Sequence, residues 1–139
     1  MRIQITTDYA IRIIMYLAQN TTELVMAKDA AQQLGITYNY FNKVAAKIRQ
    51  AGFIETVQGP KGGYRLVKDP KDVTLYDVFL VMEGDIIINR CLESDGYCTR
   101  MGNHTDKCQV HHVFEKLQNK VIHELQAITF ADLQAQKSF

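Results

Sequence analysis

The residues of this chain best suited to soft-metal or redox chemistry lie in one stretch, residues 91–111, CLESDGYCTRMGNHTDKCQVH. It holds all three cysteines, Cys91, Cys98 and Cys108, with His104 and His111 beside them, in the pattern C-x6-C-x9-C-x2-H. Thiolates and imidazoles suit zinc, iron and iron–sulfur clusters. In a reducing compartment, an odd cysteine count argues for metal or thiol chemistry rather than a disulfide scaffold. The residues themselves leave three readings open: an iron–sulfur cluster, a bare zinc site, or thiols without metal. A thiol oxidoreductase would want C-x-x-C or a cysteine beside an activating base, and neither spacing occurs. No Ser/His/Asp order, carboxylate pair or nucleotide loop stands out elsewhere. The expectation is a binding protein, not an enzyme.

A chain of 139 residues, 47% of them hydrophobic, can form one domain with a real core or a small domain plus an extension. No uncharged run approaches the roughly 20 apolar residues of a membrane span. No secretory signal pattern is present, so a cytoplasmic location is expected, with no membrane partner. Net charge is only +1, but it is divided unevenly. Residues 1–72 carry ten Lys+Arg against six Asp+Glu, and residues 73–139 carry six against nine. The first part is the more basic and the better nucleic-acid face.

Several elements must position the cysteine stretch. Ala10, Ile13, Ile14 and Leu17 recur at helical spacing, which predicts a helix over 8–19, with Thr6 or Thr7 as its cap. Asp8 would sit in its first turn, at the positive end of the helix dipole. A short, poorly capped helix is expected over 27–34, ended by Gly35. Thr37 can cap a third helix over 38–51, with Phe41, Val44, Ala45 and Ile48 as its buried stripe. Two short strands, 53–57 and 64–67, then flank the glycine-rich turn QGPKGG. T-L-Y-D at Thr74 forms a capping box before a helix reaching about Met82. Val110, Val113, Phe114, Leu117, Val121 and Leu125 make one apolar stripe on a long helix, and a second copy of the chain is the simplest cover for it. Thr129 and Asp132 open a last short helix.

Helix, turn, helix and hairpin is the order of a winged helix-turn-helix. The fold class is therefore mainly α with a small β-hairpin. A DNA-binding domain is expected over 1–72, and a sensor loop with a long C-terminal dimerisation helix over 73–139. The exposed face of the third helix offers Tyr38, Asn39, Asn42, Lys43 and Lys47. Amides there can pair with adenine edges, and lysines with guanine or phosphate. In the turn, Lys61 and the glycine N–H groups can meet phosphate or the minor groove. A solvated helix face and a merely tight hairpin are the plainer alternatives; the wing favours DNA.

The strings MRIQITTDYAIRIIMYLA, GPKGGYRL, DKCQVHHVFEKL and AITFADL, in this order, resemble the Rrf-type winged-helix regulators across nearly the whole chain. The resemblance implies a homodimer reading a palindromic double-stranded DNA operator, and a repressor is expected. It also implies an iron–sulfur cluster, 2Fe-2S or 4Fe-4S, on Cys91, Cys98 and Cys108. In members similar to IscR the fourth ligand is a histidine that corresponds to His111. In members similar to NsrR it is an acidic residue of the other subunit that corresponds to Asp8. The cysteines here are spaced more widely than is usual in either subgroup. Such a cluster would sense nitric oxide, redox state or iron–sulfur supply. Members similar to CymR imply the alternative of the same fold without a cluster, gated by a metabolite, thiol oxidation or a partner protein. Related wings often carry an arginine where this chain has Gln58, so a different operator preference is expected.

Overall fold

The computed structural model describes residues 2–136; Met1 and residues 137–139 of the expected second region lie outside the described residues. Six helices are present among the described residues: α1 Ile5–Gln19, α2 Ala27–Leu34, α3 Tyr38–Gln50, α4 Leu75–Glu83, α5 Gln109–Ala127 and α6 Phe130–Gln134. One antiparallel hairpin, β1 Ile54–Val57 with β2 Gly63–Leu66, lies between α3 and α4. Single 3-10 turns occur at Pro70–Asp72, Arg90–Leu92 and Thr105–Lys107. No helix of the described residues is long and apolar enough to cross a membrane.

α1 starts at Ile5, three residues before the expected 8, and neither Thr6 nor Thr7 is its cap. The cap comes from across the fold. Glu83 Oε1, at the end of α4, accepts from the Gln4 N–H at 3.0 Å and from Thr7 Oγ1 at 2.7 Å. Free N–H groups at a helix start need acceptors, and a carboxylate there also suits the dipole. α2 lacks a side-chain cap, as its sequence predicts. Thr37 does cap α3, accepting from the Tyr40 N–H at 3.3 Å. Phe41, Val44, Ala45 and Ile48 form the buried stripe expected of α3.

One apolar core joins these elements. Ala10, Ile13, Ile14 and Leu17 of α1 meet Phe41, Val44 and Ile48 of α3, with Val73, Val78 and Met82 around α4 and Phe130 of α6 in the same cluster. The core therefore runs across the boundary expected at residue 72. Two backbone bonds stitch the chain after α5 back to the start of α4: Phe130 N–H to the Val73 carbonyl (2.9 Å) and Leu75 N–H to the Ile128 carbonyl (3.0 Å). Both following helices open with the predicted capping boxes, Thr74 with Asp77 and Thr129 with Asp132. Gln134 Nε2 then donates to the Ala18 carbonyl at 2.9 Å, closing the C-terminal end of α1.

α5 behaves differently. Its 19 residues span about 28 Å at 1.5 Å per residue, and none is fully buried. Val110, Val113 and Leu117 remain 55%, 56% and 47% exposed, while Phe114, Val121 and Leu125 are half-buried. An apolar row this long and open is characteristic of a surface that meets a partner.

Candidate functional site

The start of α3 gathers four of the residues expected to reach DNA. Tyr38, Asn39 and Lys43 are exposed and Asn42 is half-buried. Lys43 Nζ lies 6.0 Å over the Tyr40 ring, which packs edge-on against Tyr9 of α1 at 6.1 Å. Lys47, one turn further on, is already engaged: its Nζ donates to the Met82 carbonyl of α4 at 2.9 Å. That carbonyl is one of the last in α4, where helical partners run out, and a cation suits this end of the dipole.

The wing depends on a close approach. Val25, just before α2, pairs with Tyr64 through Val25 N–H to Tyr64 carbonyl (2.9 Å) and Tyr64 N–H to Val25 carbonyl (2.7 Å). A Cβ on Gly63 would stand 2.6 Å from the Val25 carbonyl oxygen, so only glycine fits. The Gly62 N–H is taken by the Gly59 carbonyl at 3.0 Å. The glycines therefore build the hairpin, and the Gly62 N–H is not free for phosphate. Lys61 is exposed at the tip, and Glu55 pairs with Arg65 across the strands.

The cysteine loop is organised in two parts. Cys91 lies in the 3-10 turn, with Asn89 Nδ2 3.2 Å from its Sγ. Arg90 grips Asp95 through two bonds of 2.6 Å and reaches Glu93 at 3.0 Å. The Arg90 guanidinium, helped by the Tyr97 N–H, holds the Asp95 carboxyl well below the usual carboxylate range. Cys98 sits in a tight reversal closed by Cys98 N–H to the Gly102 carbonyl (3.1 Å) and the return bond (2.6 Å). The N–H groups of Arg100 and Met101 lower the Cys98 thiol below its ordinary value. Cys108 stands at the N-cap of α5.

All three thiols are free and half-buried. His111, in the first turn of α5, has a buried Nδ1 without a hydrogen-bond partner. A buried polar atom left unpaired is costly and calls for an explanation, and a metal bond is one. His112 instead turns out, with Nε2 2.7 Å from the Asp106 carbonyl, and His123 is exposed. His104 precedes the 3-10 turn Thr105–Lys107. Asp8 pairs with Arg12 at 2.8 Å on a half-open surface. The donor chemistry thus fits an iron–sulfur centre. The arrangement of the single chain does not gather it: among the described residues no three His, Cys, Asp or Glu side chains are grouped to hold a metal ion.

Sequence reasoning missed Glu83, Gln4 and Thr7 as the capping set of α1. For Gln4 and Thr7 the partner lies 79 and 76 residues away, and no local pattern in the sequence links positions so far apart. It also missed the Arg90–Asp95 clasp, for which a charge pair five positions apart was the only signal.

A helix-turn-helix with a two-stranded wing, carrying Lys43, Lys47 and Arg49 on its second helix, is a winged-helix DNA-binding fold. Residues 3–136 match the model of the Rrf2 family, described as an iron-dependent transcriptional regulator, and the chain belongs to that family. The chain is similar to the HTH-type transcriptional regulator NsrR of Bacillus licheniformis, with 30% identity over 129 residues, 91% of this chain and 87% of that protein. Its fold is shared with CymR, the global cysteine regulator of B. subtilis (TM-score 0.78, 21% identity, 99% of each chain covered). It is shared also with T. potens IscR (TM-score 0.75, 24% identity, 100% of this chain and 93% of that one).

Proposed function

We propose that this Rrf2-family transcriptional regulator is a homodimeric repressor of a palindromic operator whose hold on DNA is set by an iron–sulfur cluster. The observation that carries the reading is His111. Its buried, partnerless Nδ1 closes a loop that contains three free thiols. Cys91, Cys98 and Cys108 would hold the cluster, 2Fe-2S or 4Fe-4S, with His111, or Asp8 of the partner subunit, as fourth ligand. When bound, the cluster supplies iron that reacts with nitric oxide and oxidants and whose occupancy follows iron–sulfur supply. The three thiols stand apart in the single chain, so the loop must draw in for all of them to reach one centre.

The remaining roles belong to the protein. The open stripe of α5 supplies the dimer contact. Tyr38, Asn39, Asn42 and Lys43 read the major groove, and Lys61 meets phosphate. Two recognition helices serve one operator when they stand about one turn of DNA apart, roughly 34 Å. A bound group that favours one arrangement of the dimer shifts the population able to bind.

The test is an absorption and Mössbauer spectrum of anaerobically purified protein given iron and sulfide, beside Asp8→Ala and His111→Ala. The reading predicts a cluster in the wild type and its loss or altered spectrum in one of the two variants. A wild type that takes up no cluster would overturn it.

A second reading is favoured by Cys98, a free, half-buried thiol held in the tight Cys98–Gly102 reversal. In that reading the same regulator works without a cluster, and oxidation of the thiolate is the signal. Peroxide would then change operator affinity in protein containing no iron.

A further inference from the structure

The last turn of α4 is tied to both helices that face it. Lys47 Nζ of α3 bonds to the Met82 carbonyl, and the next residue, Glu83, receives Gln4 N–H and Thr7 Oγ1 of α1. Thr7 is fully buried and Glu83 half-buried, so the second tie lies at the edge of the core. Gly84 follows with φ 83° and ψ −156°, a conformation essentially reserved for glycine, and the chain turns there out of the helix. Residues 85–90 then lead directly to Cys91. Midway, the Ile88 N–H donates to Gln118 Oε1 of α5 at 3.0 Å. The segment before the first cysteine is therefore pinned to the long helix at one end. At the other it is pinned to the recognition helix and to α1.

We infer that the turn Met82–Gly84 is the joint through which the state of the cysteine loop reaches the DNA-reading helix, with Lys47 and Glu83 as its positioning residues. This rests on the gating proposed above. A loop that draws in around its thiols displaces residues 85–90 relative to α5. That motion either breaks the Ile88–Gln118 bond or pulls the end of α4. In the second case the Met82 carbonyl and the Glu83 carboxylate move, and the groups bonded to them move too. Packed interiors shift between discrete arrangements rather than deform smoothly, so a small displacement is passed on. Lys47 lies one turn after Lys43, on the helix that carries Tyr38, Asn39 and Asn42. It thus acts on DNA through the angle of α3, and its ammonium is spent on α4.

Lys47→Met keeps the alkyl stem and removes the donor. Operator affinity would be measured for the full chain, wild type and variant, with and without cluster, over a range of salt. In the cluster-free protein the slope of log affinity against log salt should be unchanged. A lysine on phosphate would lower it by about 0.9. The ratio between cluster-loaded and cluster-free affinities, at least about five-fold in the wild type, should fall toward one. Lys47→Arg, which retains a donor, should restore it. Glu83→Gln should lower the ratio in the same direction, and it serves if Lys47→Met does not fold. A reduced salt slope with an intact ratio overturns the inference and makes Lys47 a DNA contact. A wild-type ratio of one overturns the gating proposal and this inference with it. A large wild-type ratio that survives in both variants overturns the inference alone.

Discussion

Thr7 Oγ1 and Glu83 Oε1 stand 2.7 Å apart, joining the first turn of α1 to the last turn of α4. Thr7 is the one fully buried polar side chain among the described residues. Its hydroxyl gives the carboxylate a charge-assisted bond, so Thr7→Val removes a donor while keeping the shape. The expected loss is about 1–3 kcal/mol of stability, read from urea unfolding. An unchanged midpoint would mean that water replaces the bond at no cost.

Phe130 tests whether the chain is one folding unit. It is completely buried in the core that α1 and α3 share, although it follows α5. Phe130→Ala should cost about 3–5 kcal/mol. The loss should appear in a single transition, because the same core holds residues from both sides of position 72. Separate unfolding of two regions would contradict the shared core.

Gly63 carries the wing against Val25. Gly63→Ala places a methyl carbon 2.6 Å from a backbone oxygen that cannot rotate away. Overpacking of this kind costs about 1–3 kcal/mol. It should also weaken operator binding by displacing Lys61. Gly59 is a control for space, since a Cβ there meets nothing within 4 Å. Its φ of 116° still strains an alanine, but without forcing the wing off Val25.

The two proposed kinds of DNA contact separate by sequence dependence. Lys61→Ala should weaken all sequences alike and reduce the salt slope by about 0.9. Asn42→Ala should relax preference at one base position, at a cost of about 1–3 kcal/mol there. Binding selections on a randomised operator distinguish these outcomes. An unaltered preference after Asn42→Ala would move the reading residue elsewhere on α3.

Local signals in the sequence set most of the elements. The capping boxes at Thr74 and Thr129, the Thr37 cap and the α3 stripe each depend on residues within four positions, and each is found as expected. Contacts remote in sequence were not legible. Gln4 and Thr7 find their acceptor 79 and 76 residues away, and this moved the start of α1. Lys47 looks like any exposed lysine on a recognition helix until Met82 is seen beneath it. The paired glycines suggested phosphate, but Val25 is what Gly63 accommodates. For the cysteine loop, residue types were informative and geometry was not. The spacing C-x6-C-x9-C-x2-H marks donors without fixing where the loop holds them.

In the proposed function a cluster in this loop sets the affinity for DNA. This is tested most directly by operator affinity of one anaerobic preparation, measured before and after iron and sulfide are supplied, with Cys91→Ala, Cys98→Ala and Cys108→Ala treated in parallel. A change of at least about five-fold is expected in the wild type, and none in the three variants. Equal affinities of cluster-loaded and cluster-free wild type would contradict it.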